Sequence, residues 1–235
     1  PLRLLAPGTL PEMAPPNVDR RAIAAGLARA NQAYGHPRGA ELAAKLADPA
    51  TAVVVGGQQT GLFGGPLLAL VKAAAAVRYA EALTAAGRPA VAVFWMATED
   101  HDWAEVASAT FLGPAGLQKL ALAEDPSPLA PVGCRRVGPE IESLFAALGA
   151  AFPNERFAEW RQRLAGWWAP GARFGDAFAQ QTVAPLGARS PLMLDAMLPE
   201  LKAAQRPHLA RLIEARAEVE AAYQTAEERI VARGF

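Results

Sequence analysis

Apolar residues return at helical spacing early in the chain. Ile23, Leu27 and Ala30 form one stripe, which predicts a helix from Arg20 to about Tyr34, capped by Asn17 or Asp19. Gly35-His36-Pro37 breaks it. Gly39 to Leu46 reads as a second, shorter helix ended by Asp48-Pro49. The pattern then changes. Thr51 to Val55 is rich in β-branched residues and stops abruptly at Gly56-Gly57, which predicts a strand buried on both faces, as in a parallel sheet. A long helix follows from Pro66 to about Ala86, stopped by Gly87. Ala90 to Ala97, AVAVFWMA, is a second strand, again apolar throughout. Strand, long helix, strand is a βαβ unit, so the two strands should be parallel with a right-handed crossover.

Beyond this unit the pattern is mostly helical. Ala104 to Leu112 predicts a short helix running into a strand, and Gly113 to Gly138, broken by Gly and Pro, predicts loop with at most short strands. Pro139 to Ala150 and Glu155 to Trp168 are helical, the latter with Trp160, Leu164, Trp167 and Trp168 on an aromatic-rich face. A helix from Phe174 to about Leu186, a third strand in Ser190 to Asp195, and a charged helical stretch from Leu198 to Arg233, broken or bent at Pro207, complete the chain. Pro1 to Pro16 is a proline-rich, extended lead-in. The expected class is α/β, a parallel sheet with flanking helices and a mainly helical insertion. The expected division is 1–112 for the N-terminal helices and first half of the core, 113–172 for the insertion, and 173–235 for the return to the core and the C-terminal helices.

Composition narrows the setting. The chain has 235 residues, 52% of them hydrophobic, enough for a sizeable core without a disulfide or metal staple. Formal net charge is zero, so bulk electrostatics predict neither a nucleic-acid nor an anionic-membrane partner. The single cysteine, Cys134, excludes an intrachain disulfide and suits a reducing cytoplasm. The start lacks the continuous apolar core of a signal peptide, and the longest apolar stretch, Pro66 to Ala76, contains Lys72 and is too short to span a bilayer. The chain begins on Pro1 and ends on Gly234-Phe235 directly after a helical pattern, which suggests a piece of a longer protein.

Two strand ends carry the candidate chemistry. Gln58, Gln59 and Thr60 sit where the chain leaves the first strand, and Glu99-Asp100-His101-Asp102 follows the second. Parallel strands bring both to one edge of the sheet, the edge where ligands bind in open α/β folds. Gln58 and Gln59 each offer an amide that donates and accepts, suited to hydroxyls and carboxylates. Free N–H groups at the following helix start suit an anion. The glycines at 56, 57, 61, 64 and 65 match neither GxxxxGK[ST] nor GxGxxG, and a plain glycine turn capped by Thr60 is the simpler alternative. In the acidic run, imidazole is the side chain that exchanges protons near neutral pH, so His101 with an adjacent Asp is the candidate proton carrier. The alternative is a solvated loop in which Asp100 or Asp102 caps a helix at Trp103. The spacing is not that of a zinc site, and His36 and His208 are too isolated to complete one. Lys72 either reaches back to the helix start or snorkels to solvent. Cys134 reads as a bystander in a loop, since no histidine is near it in sequence.

GGQQTGLFGGPLLALVKA and FWMATEDHDWAEV together resemble the BshC family, the cysteine-adding enzymes of bacillithiol biosynthesis. That family carries a GQQxGLxxGPxxxxxK turn and a FWxxxEDHDxxE run at this separation. The resemblance is looser from Phe174 onward and slight over Gly113 to Ala172. It implies a Rossmann-like core of the kind found in class I aminoacyl-tRNA synthetase-type nucleotidyl transferases, with a connecting-peptide-like helical insertion. It implies a ligase that joins L-cysteine to the amine of glucosaminyl malate, and a longer protein with a C-terminal coiled coil linked to dimerisation. The cofactor is unknown; ATP is possible, because a free carboxylate needs activation, usually by a nucleotide. The expected location is the cytoplasm. Carried over residue by residue, the site would include Gln58, Gln59, Gly61, Gly65, Lys72, Glu99, Asp100, His101 and Asp102, without a role for each. The residues themselves suggest His101, Asp100 and Asp102 as catalytic groups and Gln58, Gln59, Thr60, Gly61, Gly65, Lys72 and Glu99 as binding groups, with no metal. The contrasting expectation is a non-catalytic small-molecule or nucleotide-binding module, a half-enzyme that needs a partner segment.

Overall fold

The computed structural model describes residues 18–114, 116–123 and 129–234. The expected lead-in before residue 17 and the Asn17 cap lie outside them. Asp19 caps the first helix, α1 (Arg20–Ala33), its carboxylate accepting from the backbone N–H groups of Arg21 and Ala22 at 3.1 and 3.0 Å. Helix α2 (Gly39–Ala47) follows. Strand β1 (Ala52–Gln58), helix α3 (Leu68–Ala85) and strand β2 (Ala90–Met96) form the βαβ unit, with β1 and β2 parallel and Gln58 opposite Met96. A four-residue helix, α4 (Trp103–Val106), runs into an antiparallel hairpin of β3 (Ser108–Gly113) and β4 (Gly116–Ala121), where the sequence predicts mainly loop after Gly113. Helices α5 (Ile141–Ala151), α6 (Glu155–Trp167) and α7 (Phe174–Leu186) lead to β5 (Leu192–Asp195), which pairs parallel to β2.

The described parallel sheet has the order β1-β2-β5, and strand alternation divides it into two covered faces. Val91, Val93, Leu192 and Leu194 pack with Ile23, Leu27, Ala43 and Leu46 of α1 and α2. On the other face Phe94, Met96 and Met193 pack with Ala69 and Ala73 of α3 and with Phe174 and Phe178 of α7. Each large side chain removed from water there contributes about 1.5–3 kcal/mol of hydrophobic stabilisation before ordering costs. Trp168 and Leu164 are buried in the same cluster, whereas Trp160 and Trp167 lie at its margin as an edge-to-face pair beside Arg163.

Two expectations fail. First, β1 is not buried on both faces. Val53 and Val55 pair in register with Val91 and Val93, so they point to the α1–α2 side. Those helices cover β2 and β5 but stop short of β1, leaving Val53 41% and Val55 61% exposed. Among the described residues β1 is an edge strand. Second, the C-terminal helical stretch does not break at Pro207. That residue lies inside α8 (Pro199–Glu214), and the interruption comes at Ala215, before α9 (Arg216–Val231). Proline removes the hydrogen bond to the carbonyl four residues back, and Ala203 and Pro207 are both exposed, where solvent can replace a lost bond at little cost. No helix of the described residues is long and apolar enough to cross a membrane.

Candidate functional site at the carboxyl edge of the sheet

The two motifs meet. Ala97 N–H donates to the Gln58 carbonyl at 3.2 Å, carrying the β1–β2 ladder one step past the strands. Immediately beyond, the Gln59 side-chain amide donates to Asp100 Oδ2. The other Asp100 oxygen accepts from the backbone N–H groups of His101 at 2.6 Å and Asp102 at 3.2 Å. Three donors thus converge on one carboxylate. They hold its pKa below the ordinary value, the Gln59 amide first and the His101 and Asp102 backbone groups after it. Asp100 is therefore a fixed negative acceptor.

His101 Nδ1 lies 3.6 Å from Asp100 Oδ1, and its imidazole is more than half exposed at the rim. Asp102 caps α4, accepting from Glu105 N–H at 3.1 Å, so the helix-capping role and the strand-end position coexist. Glu99 turns aside, its carboxylate accepting from the Trp95 indole at 3.0 Å. Trp103 anchors the loop: its indole donates to the Ala123 carbonyl at 3.0 Å, and its ring packs edge-on against Phe174 and beneath the Arg135 guanidinium. Beside this loop an open cleft of about 680 Å³ is lined by Asp100, His101, Asp102, Trp103, Lys119 and Leu122, among others.

On the β1 side, Lys72 reaches back from α3 and donates to Gln58 Oε1 at 2.7 Å, rather than extending to solvent. The glycines of the turn close on the protein itself. A Cβ at Gly61 would lie 2.7 Å from Gly65 Cα, so the turn folds onto itself, and the Gly61, Gly64 and Gly65 N–H groups donate to the Gln59, Gly61 and Leu62 carbonyls. The Thr60 hydroxyl does not cap α3, whose N-cap is Leu67. Both Thr60 Oγ1 and Gln59 Oε1 are buried without a hydrogen-bond partner among the described residues. Of the residues the sequence singles out, Gln59, Asp100 and His101 form one contiguous group, Gln58 and Lys72 a second beside it, and Gly61, Gly65 and Thr60 the frame between them.

Sequence reasoning missed a neighbouring polar group. At the end of β5, Asp195 accepts from the Thr98 hydroxyl and, at 3.3 Å, from Arg173, which also donates to the Gly133 carbonyl at 3.1 Å. Burial raises the Asp176 pKa, Arg173 opposes that shift, and burial likewise raises the Tyr34 hydroxyl beside it. The signal was available in part, since Asp195 ends the third apolar strand as Asp100 follows the second. Arg173 carries no such mark.

Elsewhere, His36 is a structural residue: its Nδ1 accepts from Arg38 N–H at 3.1 Å, its Nε2 donates to the Ser190 carbonyl at 3.0 Å, and burial lowers its pKa. Cys134 is exposed. Among the described residues no group of three or more His, Cys, Asp and Glu is placed to hold a metal ion. A separate cleft of about 380 Å³ opens at the amino ends of β2 and β5, at the far edge from the motifs, between Arg38, Lys45 and Arg189.

The sequence matches the family model for the N-terminal Rossmann-like domain of the bacillithiol biosynthesis protein BshC over residues 10–235. Among curated relatives, a protein of Koribacter versatilis named "Putative cysteine ligase BshC" is 52% identical over 93 residues, 39% of this chain and 17% of that protein. Proteins of the same name from Shouchella clausii and Salinibacter ruber are 31% identical over 195 residues and 34% over 167, covering 81% and 69% of this chain. The chain spans only part of these relatives, 36% and 30% of the Shouchella and Salinibacter proteins.

Proposed function

This chain belongs to the BshC family of bacillithiol biosynthesis, and from that premise we propose that it is the N-terminal part of a ligase that forms an amide between L-cysteine and the amine of glucosaminyl malate. The observation that carries the reading is the Gln59–Asp100 hydrogen bond, which joins the two motifs across adjacent parallel strands. It sets His101 at the rim of a cleft, over a carboxylate that stays ionised.

In this reading the attacking group is the sugar amine. Its nitrogen forms the new bond to the cysteine carboxyl carbon, the carboxyl's leaving group departs, and His101 takes the proton the nitrogen sheds. Asp100 orients the imidazole, its Oδ1 lying 3.6 Å from Nδ1. Gln58, fixed by Lys72, presents its amide N–H₂ to a substrate hydroxyl or carboxylate. A free carboxylate must be activated before it forms an amide, and a nucleotide such as ATP is the class of group that supplies this. In the glycine turn the Gly61, Gly64 and Gly65 N–H groups already donate to backbone carbonyls, and no step is assigned through a nucleotide. The reading places the protein in the cytoplasm, with small-molecule substrates and a dimeric full-length form as its partners.

The exposed Val53 and Val55 on the β1 edge favour a second reading, a half-enzyme that acts only with a further segment packed there. Mass spectrometry of the amide product, with and without ATP, separates the two. Product from the complete gene product but none from the 235-residue chain fits a domain that needs the rest of the protein. Absence of product from the complete gene product under every condition rejects the ligase.

A further inference from the structure

The turn between Gln59 and α3 contains a residue in an unfavourable conformation. Phe63 has φ 51 and ψ 36, the left-handed region, inside the tight turn Leu62–Gly64. A bulky side chain holds that conformation only where its surroundings impose it. They do so from α7 and the end of α6. Gln181 Nε2 donates to the Phe63 carbonyl at 2.6 Å, and Gln181 Oε1 accepts from the Trp168 indole at 2.7 Å. The Phe63 ring packs against Phe145 and Trp168, with centroids 5.4 and 5.8 Å away. Gly64 lies so close that a Cβ there would be 2.9 Å from Gln181 Nε2. One side chain on a distant helix thus spends both ends of its amide on fixing the turn.

The geometry points to Gln181 as a positioning residue for the site. By holding Phe63 in the left-handed conformation it sets where the Gln58-Gln59 strand end stands relative to Lys72, the two sides of the binding turn. The role rests on the reaction proposed above. Gln181 touches neither Asp100 nor His101 among its hydrogen bonds, so its loss should loosen substrate binding and leave proton transfer in place.

The test uses the complete gene product with Gln181→Met and Gln181→Glu. Methionine keeps the volume and removes both hydrogen bonds, whereas glutamate keeps an acceptor for Trp168 and removes the donor to Phe63. Hydrogen exchange of the amides at 61–65 should speed up in both variants, and Trp168 fluorescence should shift in Gln181→Met more than in Gln181→Glu. In the amide-forming assay KM for one substrate should rise about tenfold or more, with kcat within about threefold and its pH profile unchanged. Wild-type exchange at 61–65, or faster exchange with wild-type KM, overturns the positioning role. A wild-type protein that makes no amide overturns the reaction and the catalytic meaning of the role, while faster exchange in the variants would still support Gln181's hold on the turn.

Discussion

Gln59 and Asp100 meet at the carboxyl ends of two adjacent parallel strands, the glutamine amide donating to a carboxylate that also gathers two backbone N–H groups. The contact turns two separate sequence motifs into one site. It also determines the charge state of the group beside His101.

Removing that donor should release the carboxylate. In Gln59→Leu the Asp100 pKa should rise toward, though not to, the ordinary value, because the His101 and Asp102 backbone groups remain. A carboxylate whose folded-state pKa is depressed stabilises the fold above its unfolded-state pKa and loses that contribution as pH falls through the folded-state value. The variant should therefore be less stable than wild type at neutral pH, by under about 1 kcal/mol for a half-buried pair whose carboxylate still meets water, with the difference closing in acid. Carboxyl-carbon NMR titration and denaturant melts at pH 7 and pH 3 check both.

Lys72→Met tests the other half of the turn. It removes the hydrogen bond to Gln58 Oε1 and keeps most of the aliphatic stem. Stability should change by less than about 1 kcal/mol, whereas KM for the substrate that Gln58 is proposed to hold should rise with little change in kcat. Steady-state kinetics with each substrate varied in turn reads this directly.

Phe94 supports the strand from beneath. It is fully buried in the middle of β2 and stacks on Phe178 of α7 with centroids 6.3 Å apart. Phe94→Ala should cost about 3–5 kcal/mol. The cooperative unfolding of the chain in urea measures it, and a loss below 1 kcal/mol would show that β2 is not the centre of the core.

The edge strand gives a prediction of a different kind. Val55 is 61% exposed on β1, whose outer edge pairs with no strand among the described residues. Such edges recruit other strands, and a charge blocks that. Val55→Lys in the 235-residue chain should reduce self-association, seen in sedimentation velocity, while changing stability by no more than about 0.5 kcal/mol.

Much of the frame was legible because it rests on local pattern. The abrupt switch from β-branched run to glycines marked β1, the uniform apolarity of Ala90 to Met96 marked β2, and their connection through one helix required them to be parallel. That inference alone brought Gln59 to Asp100. What remained hidden depends on tertiary neighbours. An apolar strand reads the same in the middle of a sheet as at an edge whose cover ends one strand short, so Val53 and Val55 were placed in the core. Glu99 stands in the acidic run, but Trp95 four residues earlier takes its carboxylate. The glycines looked like room for a ligand, and much of that room holds Gly65 and Gln181. Gln181 is a polar residue on an otherwise buried helix face, and only Phe63, 118 residues away, reveals its task.

The central claim is that His101, seated on the Asp100 carboxylate, moves the proton in amide formation. The most direct measurement is kcat for cysteine addition to glucosaminyl malate by the complete gene product carrying His101→Ala, across pH 6 to 9. The account predicts a fall of about 10²–10⁴-fold with KM changed only a few-fold. Wild-type turnover in His101→Ala would contradict it.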